Sequence, residues 1–456
     1  MIRLIKKYPL LLLYIYLSVW TSLASTPLTE LFRPPLMLSR MYSLLLYVPF
    51  AVLILWKLVG DIRGFRKNAV NLIYYLFALY YGALCVYRFA VGMEVKESIY
   101  YSIVFFGSVA LYCQIRDDRL HMDRDLFGTN FIAILIFVCA YKIIASILCV
   151  GWFGRPRLIG NPPINNLYST SILVLLIPFL LDNLKSEKRK YPSVVWAVLT
   201  ICMTLIALCA SRAIVALAAG LFVVCAALHF ADRKKLIKIG ASVLCAVLII
   251  SVLAGMNAGR VRYALYREFG LFGSNHGAMD DTLPDEPGTT DPTDVPGSDG
   301  LLDADDATAQ IERSDAMRST LMKEGIKQVK LNPLFGTGDL YYTQDLGYMK
   351  QNLTAHNFLL ETIVSYGLIG FMMIAAMFVA ILLETKILCK SLLTQWKRRI
   401  AVLMVFFYFF AFGMVQPSVY NSLLCPLFML VISHFGLQFT EQAASVKAGV
   451  ENVAEE

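Results

Sequence analysis

Arg212 stands in the stretch 193–230, where no other residue carries a formal charge at pH 7. A charge in such surroundings is costly near lipid and marks a functional site by default. The plain alternative is a helix-turn arginine whose long stem carries its head to the surface. Further arginines fall at Arg155 and Arg157 and at Arg260, Arg262, Arg267, Arg313 and Arg318. The planar guanidinium fork suits bidentate recognition of phosphate, so the set points to an anionic head group. For any one of these arginines, interfacial lipid phosphate is the competing ligand. His356 is one of five histidines and precedes Asn357 at the expected start of a helix. The positive helix end favours neutral imidazole there, which can take a proton from a hydroxyl as a general base. It also favours a nearby phosphate. A capping or interfacial histidine is the bland reading of the same position. Lys142 lies some ten residues before Trp152, roughly 15 Å along a helix. It would line a polar cavity or pair with tyrosines.

The elements that must hold these residues are written in hydropathy. Hydrophobic residues make up 58% of the 456 and charged residues 16%, against roughly a quarter charged in soluble domains. Apolar runs recur along most of the chain, and ~20 helical residues cross a ~30 Å hydrocarbon core. In lipid the backbone must satisfy its own hydrogen bonds, so these runs are expected to be helices. The alternating ten-residue segments of a barrel are not seen. Helices are predicted over 8–25, 41–57, 70–91, 98–115, 129–150, 166–182, 193–210, 213–230, 236–254, 357–384, 400–415 and 420–436. Kept as one helix, 193–230 would measure roughly 57 Å, so a hairpin is placed at Ser211 and Arg212. The predicted fold class is an all-α polytopic membrane protein of about twelve transmembrane helices with one large extracytoplasmic loop.

Basic residues between the runs assign an orientation. Lys57, Arg63, Arg66 and Lys67, then Arg116, Arg119 and Arg124, and later Arg233, Lys234 and Lys235 fall on one side with both termini. Helices one to nine would fill 1–254, the outer loop 255–356, helices ten to twelve 357–436, and a cytoplasmic tail 437–456. The apolar N-terminal run reads as a retained first helix rather than a cleaved signal. Within the loop, 280–306 holds ten acidic residues and no aromatic one, the composition of a disordered segment. Residues 308–331 read as a helix with Met317, Leu321, Ile326 and Val329 as its apolar stripe, stopped at Asn332-Pro333. The ten cysteines lie in or beside apolar runs and read as small buried hydrophobes. No metal-ligand spacing is present, and neither a metal, a cofactor nor a nucleic acid is expected.

Three strings then acquire meaning together. RSDAMRSTLMKEGIKQVK (313–330) runs into LNPLFGTGDLYY (331–342), and LTAHNFLLETIVSYGLIGF (353–371) follows. This order resembles the C-terminal signature of the O-antigen ligase and polymerase superfamily. CASRAIVALAAG (209–220) looks like that family's Ser-Arg hairpin, and GRPRLIGNPPINN (154–166) is similar to its Arg-Gly-Asn-Pro loop, with Pro163 where asparagine is common. The acidic insertion 280–306 departs from the pattern. The resemblance implies a C-type glycosyltransferase-like architecture. It implies a metal-independent, inverting transfer of a glycan from an undecaprenyl-pyrophosphate-linked oligosaccharide to an acceptor sugar hydroxyl. In that scheme Arg212 and Arg318 bind the pyrophosphate, His356 is the base or positions the acceptor, and Arg155 and Arg157 assist. Arg313, Asn357 and Lys142 complete the expected substrate-binding set. The implied partners are the lipid-linked donor, a glycan or glycolipid acceptor, membrane lipid, and a flippase and chain-length regulator. The implied location is the cytoplasmic membrane.

Two other classes compete. A transporter of a small anion or sugar would use midplane polar residues such as Lys142 and broken helices. A metal-dependent lipid-linked transferase would need an acidic pair in the first outer loop, where only Glu30 stands. Polymerase and ligase share a donor and differ in acceptor. The reading leans to polymerase, because envelopes without a lipid A acceptor still need one.

Overall fold

The computed structural model describes residues 8–24, 36–92, 95–120, 124–150, 166–183, 192–208, 211–228, 232–255, 319–338, 342–345, 350–353, 357–385, 396–415 and 418–436. Helices dominate. They are α1 (Pro9–Ala24), α2 (Leu36–Arg63), α3 (Ala69–Ala90), α4 (Lys96–Arg116) and α5 (Arg124–Val150). Next come α6 (Asn166–Leu175), α7 (Ile177–Asn183), α8 (Pro192–Ala207), α9 (Arg212–Leu228) and α10 (Arg233–Gly255). Residues 319–331 form α11. A two-stranded antiparallel ribbon, β1 (Tyr342–Asp345) and β2 (Lys350–Leu353), pairs Tyr342 with Leu353. The chain continues through α12 (Phe358–Glu384) and α13 (Trp396–Gly413), a 3-10 turn at Ser418–Tyr420, and α14 (Leu424–Gly436).

Among the described residues, five segments are long and apolar enough to cross a membrane: Leu44–Arg63, Ala69–Ala90, Ser98–Arg116, Arg233–Leu253 and Phe358–Glu384. Five shorter apolar helices accompany them. Large apolar side chains such as Leu79, Val86, Phe89, Ile237 and Val252 are exposed on the outside of the bundle. That is the pattern of a helix bundle facing hydrocarbon, where lipid rather than water is the outer solvent. The chain is an integral membrane protein.

Two central helices organise the packing. Every described residue of α14 is buried. Phe428 stacks on Phe409 of α13 with ring centroids 4.0 Å apart, and His434 meets Phe131 of α5 and Phe179 of α7 edge-on. The second central element is the pair α6 and α7, buried from Thr170 to Leu181. One helix is expected over 166–182, but it breaks at Leu176. Pro178 lacks the N–H that would bond the Val174 carbonyl. Around these, α2 packs on α1 and α4, α3 on α12, α8 on α10, and α9 on α13. In lipid there is little hydrophobic gain from helix association, so close backbone approach carries it. Gly107 of α4 supplies such an approach: a Cβ there would stand 2.8 Å from the Phe50 Cα.

The second helix runs beyond the expected end at residue 57. Lys57, taken from the sequence as part of a cytoplasmic loop, is fully buried inside the bundle. Its ammonium donates to Asp61 Oδ2 at 2.6 Å and to Asn71 Oδ1 at 2.8 Å. Asp61 also accepts from Arg119 at 2.6 Å and from the Tyr75 hydroxyl at 2.7 Å. Nearby, Arg116 donates to Glu384 at 2.7 Å and to Asp117 at 2.9 Å. Compensated in this way, the charges continue the helix instead of ending it. The cluster ties α2, α3, α4 and α12 together at one end of the bundle.

The expected apolar stripe of 308–331 is corrected in part. Leu321 is buried, but Ile326 is exposed, and the covered line runs through Leu321 and Gly325. Residues 308–318, the acidic segment 280–306 and the tail 437–456 lie outside the described residues.

Candidate functional site

The end of the bundle opposite the ion cluster holds the Pro-Leu-Phe-Gly-Thr-Gly turn at 333–338. Helix α11 feeds it, and Asn332 begins it by accepting the Gly336 N–H on its carbonyl at 2.8 Å. Gly336 and Gly338 have φ of 67° and 86°, the left-handed region that glycine enters without penalty.

This turn is seated in a break in α12. The helix opens at Asn357, whose side chain accepts from the Leu359 and Leu360 N–H groups, a regular N-cap. It runs to Tyr366 and is interrupted at Gly367, with φ 69° and ψ 179°. That combination is open in practice only to glycine. A break of this kind orphans the carbonyls before it and the N–H groups after it. The turn supplies both. Leu368 N–H donates to the Pro333 carbonyl at 2.8 Å, and Ile369 N–H to the Leu334 carbonyl at 3.4 Å. The Val364 carbonyl accepts from Gly338 N–H at 3.0 Å. Two side chains of α3 complete the set. The Tyr80 hydroxyl donates to the Tyr366 carbonyl at 2.5 Å. Arg88 Nη2 donates to the carbonyls of both Ser365, at 2.5 Å, and Phe335, at 2.9 Å.

Arg88 is fully buried, and no carboxylate pairs with it among the described residues. Its charge rests on carbonyls at the C-terminal end of the half-helix 358–366, where the dipole is negative. It escapes a reading of the sequence because an arginine in the last turn of a span looks like an interfacial anchor. The only signal is its place within an apolar span, the ground on which Arg212 is singled out.

Beneath the turn runs a seam of hydroxyls and aromatic rings. Tyr81 donates to Ser98 Oγ at 3.1 Å, Ser102 Oγ meets the Tyr366 hydroxyl at 2.9 Å, and Thr362 meets Tyr420. The Tyr420 ring lies 5.0 Å from that of Tyr101. Glu361 is fully buried one turn into α12.

The expected site residues are distributed as follows. Asn357 is buried and acts as the cap of α12. Lys142 is buried in α5 and donates to the Thr170 hydroxyl of α6. Arg212 is the first residue of α9, after Ser211, whose carbonyl accepts from Val215 N–H at 3.0 Å. Its backbone thus stands where the hairpin is expected, while its side chain is outside the described set. His356, Arg318, Arg313, Arg155 and Arg157 also lie outside the described residues. By chain position, His356 immediately precedes Asn357, and Arg318 immediately precedes α11. No group of three or more His, Cys, Asp or Glu forms a metal cluster among the described residues.

A helical membrane protein whose glycine-rich turn closes a broken helix is the class these observations define. Residues 195–375 match the family model described as O-Antigen ligase, Wzy_C. The matched span takes in α8 to α11, the turn, the ribbon and the break in α12. The chain is therefore similar to the O-antigen ligase and polymerase superfamily, as the strings at 209–220 and 313–371 suggest. Comparison with curated proteins finds no match.

Proposed function

We propose that this protein transfers a glycan from an undecaprenyl-pyrophosphate-linked oligosaccharide to an acceptor sugar hydroxyl, at the outer face of the cytoplasmic membrane. It would act as a surface-polysaccharide polymerase or ligase. The observation that carries the reading is the seating of the 333–338 turn in the Gly367 break, inside the segment that matches the ligase family model. Two strings some thirty residues apart are thereby one object; in the sequence Arg318 precedes the helix that leads to the turn, and His356 precedes the cap of the helix that the turn completes.

The chemistry follows from the residue types. The leaving group is a pyrophosphate whose negative charge grows in the transition state, and fixed guanidinium groups from Arg212 and Arg318 stabilise it. His356, beside the N-terminus of α12, takes the proton of the acceptor hydroxyl or orients that hydroxyl. Attack opposite the leaving group inverts the anomeric carbon. Arg155, Arg157 and Arg313 add positive charge for the donor, Asn357 sets the helix start, and Lys142 supports the polar interior. In this reading twelve helices span the membrane, both termini are cytoplasmic, and 255–356 forms the outer loop. A flippase and a chain-length regulator would supply donor and set product length.

The test is a gel of surface glycan from cells lacking the protein, complemented with wild type, Arg212→Ala, Arg318→Ala or His356→Ala. A collapse to single repeats identifies a polymerase. Loss of anchored glycan with accumulation of the lipid-linked form identifies a ligase. Unchanged glycan in the deletion sinks the proposal.

A further inference from the structure

We propose that Arg88 is a positioning residue for this reaction, holding the 333–338 turn in the α12 break so that the two flanking segments meet one substrate. The inference rests on the transferase reading above and concerns a residue outside the segment that matches the family model.

The geometry is specific. One nitrogen, Nη2, reaches a carbonyl of the turn (Phe335) and a carbonyl of the broken helix (Ser365) at the same time. Arg88 therefore bridges the two halves of the motif from a third element, α3. The other bonds between turn and helix are backbone to backbone and depend on the turn already being seated. The Arg88 and Tyr80 bonds come from the side chains of a separate helix, α3, which packs along α12.

Cost points the same way. Placing a guanidinium in a fully buried position within a membrane span is expensive, and intramembrane charges are rare outside functional regions. A neutral hydroxyl can satisfy a carbonyl here, as Tyr80 does for Tyr366. What arginine adds is a charge at the negative end of a half-helix, carried to it by one nitrogen that donates twice, while Nε and Nη1 make no hydrogen bond. That arrangement ties the turn to α3. Lysine would keep the charge on a shorter stem, and methionine would fill the space without any bond.

The consequence falls on α11 and on the start of α12. The turn follows α11, whose chain begins after Arg318, and packs on a half-helix that begins after His356. A turn free to shift by an ångström would change the spacing of those two ends. Misplacement of that size lowers rates by roughly 100-fold when reacting groups must align.

The experiment uses the full-length protein in nanodiscs, with lipid-linked glycan isolated from cells lacking the protein as donor. Wild type, Arg88→Met and Arg88→Lys are compared for kcat, donor KM and amide hydrogen exchange. For Arg88→Met the expected result is a kcat lower by roughly 100-fold with donor KM unchanged. Exchange at the Gly336 and Gly338 amides should quicken, while that of the other α3 amides stays the same. Arg88→Lys should lie between the two in both measures. If Arg88→Met does not accumulate in the membrane, Arg88→Lys carries the comparison. An unchanged kcat, or a raised KM with normal exchange in the turn, overturns the proposal, the latter making Arg88 a donor-binding residue. A wild-type chain without transfer would defeat the functional reading instead, and exchange in the turn would still report on Arg88 separately.

Discussion

Gly367 faces the Leu334 carbonyl so closely that a Cβ at Gly367 would stand 2.0 Å from the carbonyl oxygen. The two residues are thirty-three positions apart, yet neither backbone can take its shape without the other. Gly367→Ala should therefore do two kinds of harm. The strained φ and ψ cost about 1–3 kcal/mol by themselves, and the methyl group displaces the turn. The expected outcome is a lower melting temperature in detergent and loss of glycan transfer. Gly82→Ala is the comparison: a Cβ there would meet nothing within 4 Å, so the change should be tolerated.

Asn357 separates capping from substrate binding. Asn357→Ala removes the acceptor of the Leu359 and Leu360 N–H groups and should cost about 1 kcal/mol. Asn357→Ser and Asn357→Asp retain an acceptor. If the residue is only a cap, both keep wild-type transfer in the surface-glycan gel. If its amide also holds substrate, both lose transfer while melting normally.

The cluster at the other end of the bundle should show the asymmetry of buried ion pairs. Asp61→Asn leaves the Lys57 ammonium, whose side chain is 1% exposed, without its anion. Breaking such a pair costs about 3–5 kcal/mol. The double replacement Lys57→Met with Asp61→Leu removes the buried pair and should recover part of that loss, the remainder reflecting Arg119 and Tyr75, which also lose Asp61. Thermal unfolding of the purified variants measures the difference, and equal losses in single and double variants would contradict the expectation.

Gly107 tests the seam between α2 and α4. Gly107→Ala puts a methyl group 2.6 Å from the Phe50 Cβ and 2.8 Å from its Cα, so the helices must part. Overpacking of this kind costs about 1–3 kcal/mol. The companion change Phe50→Ala leaves the backbone collision at Cα in place, so it should rescue little. Full rescue would mean that the side chain rather than the backbone sets the spacing.

Hydropathy made the helices legible, because an apolar run in lipid has few alternatives. The interruption before Ser211 and Arg212 was legible for the same reason: the stretch is too long for one crossing, and two helices, Pro192–Ala207 and Arg212–Leu228, occupy it. Breaks within a run were harder. Leu176 sits in continuously apolar sequence with only Pro178 as a hint, and Gly367 sits inside a helix-length run that opens with Glu361, Thr362 and Ser365. The second depends on 333–338, a segment distant in sequence, whose inserted backbone no local pattern reveals. Charges misled in both directions. Lys57 read as a loop residue because lysine is expensive in a span, but Asp61 one turn on makes it affordable. Arg88 drew no reading from the sequence, because its partners are carbonyls, which every residue has. For the site, the strings put the turn and α12 into one ordered signature, while the seating of the turn in the Gly367 break was not legible in them. The roles of His356 and Arg318 rest on residue type and chain position.

The seated turn also bears on how such chains can be recombined. Residues 333–338 and 357–370 share one hydrogen-bond network with Arg88 and Tyr80, so they behave as a single heritable cassette with a distant accessory. A chimera that exchanges one string without the other pieces inherits mismatched halves of a lock. The ribbon strands Tyr342–Asp345 and Lys350–Leu353 stand between the two strings, so a crossover there would divide the cassette, and the junctions of a working chimera belong outside 333–370.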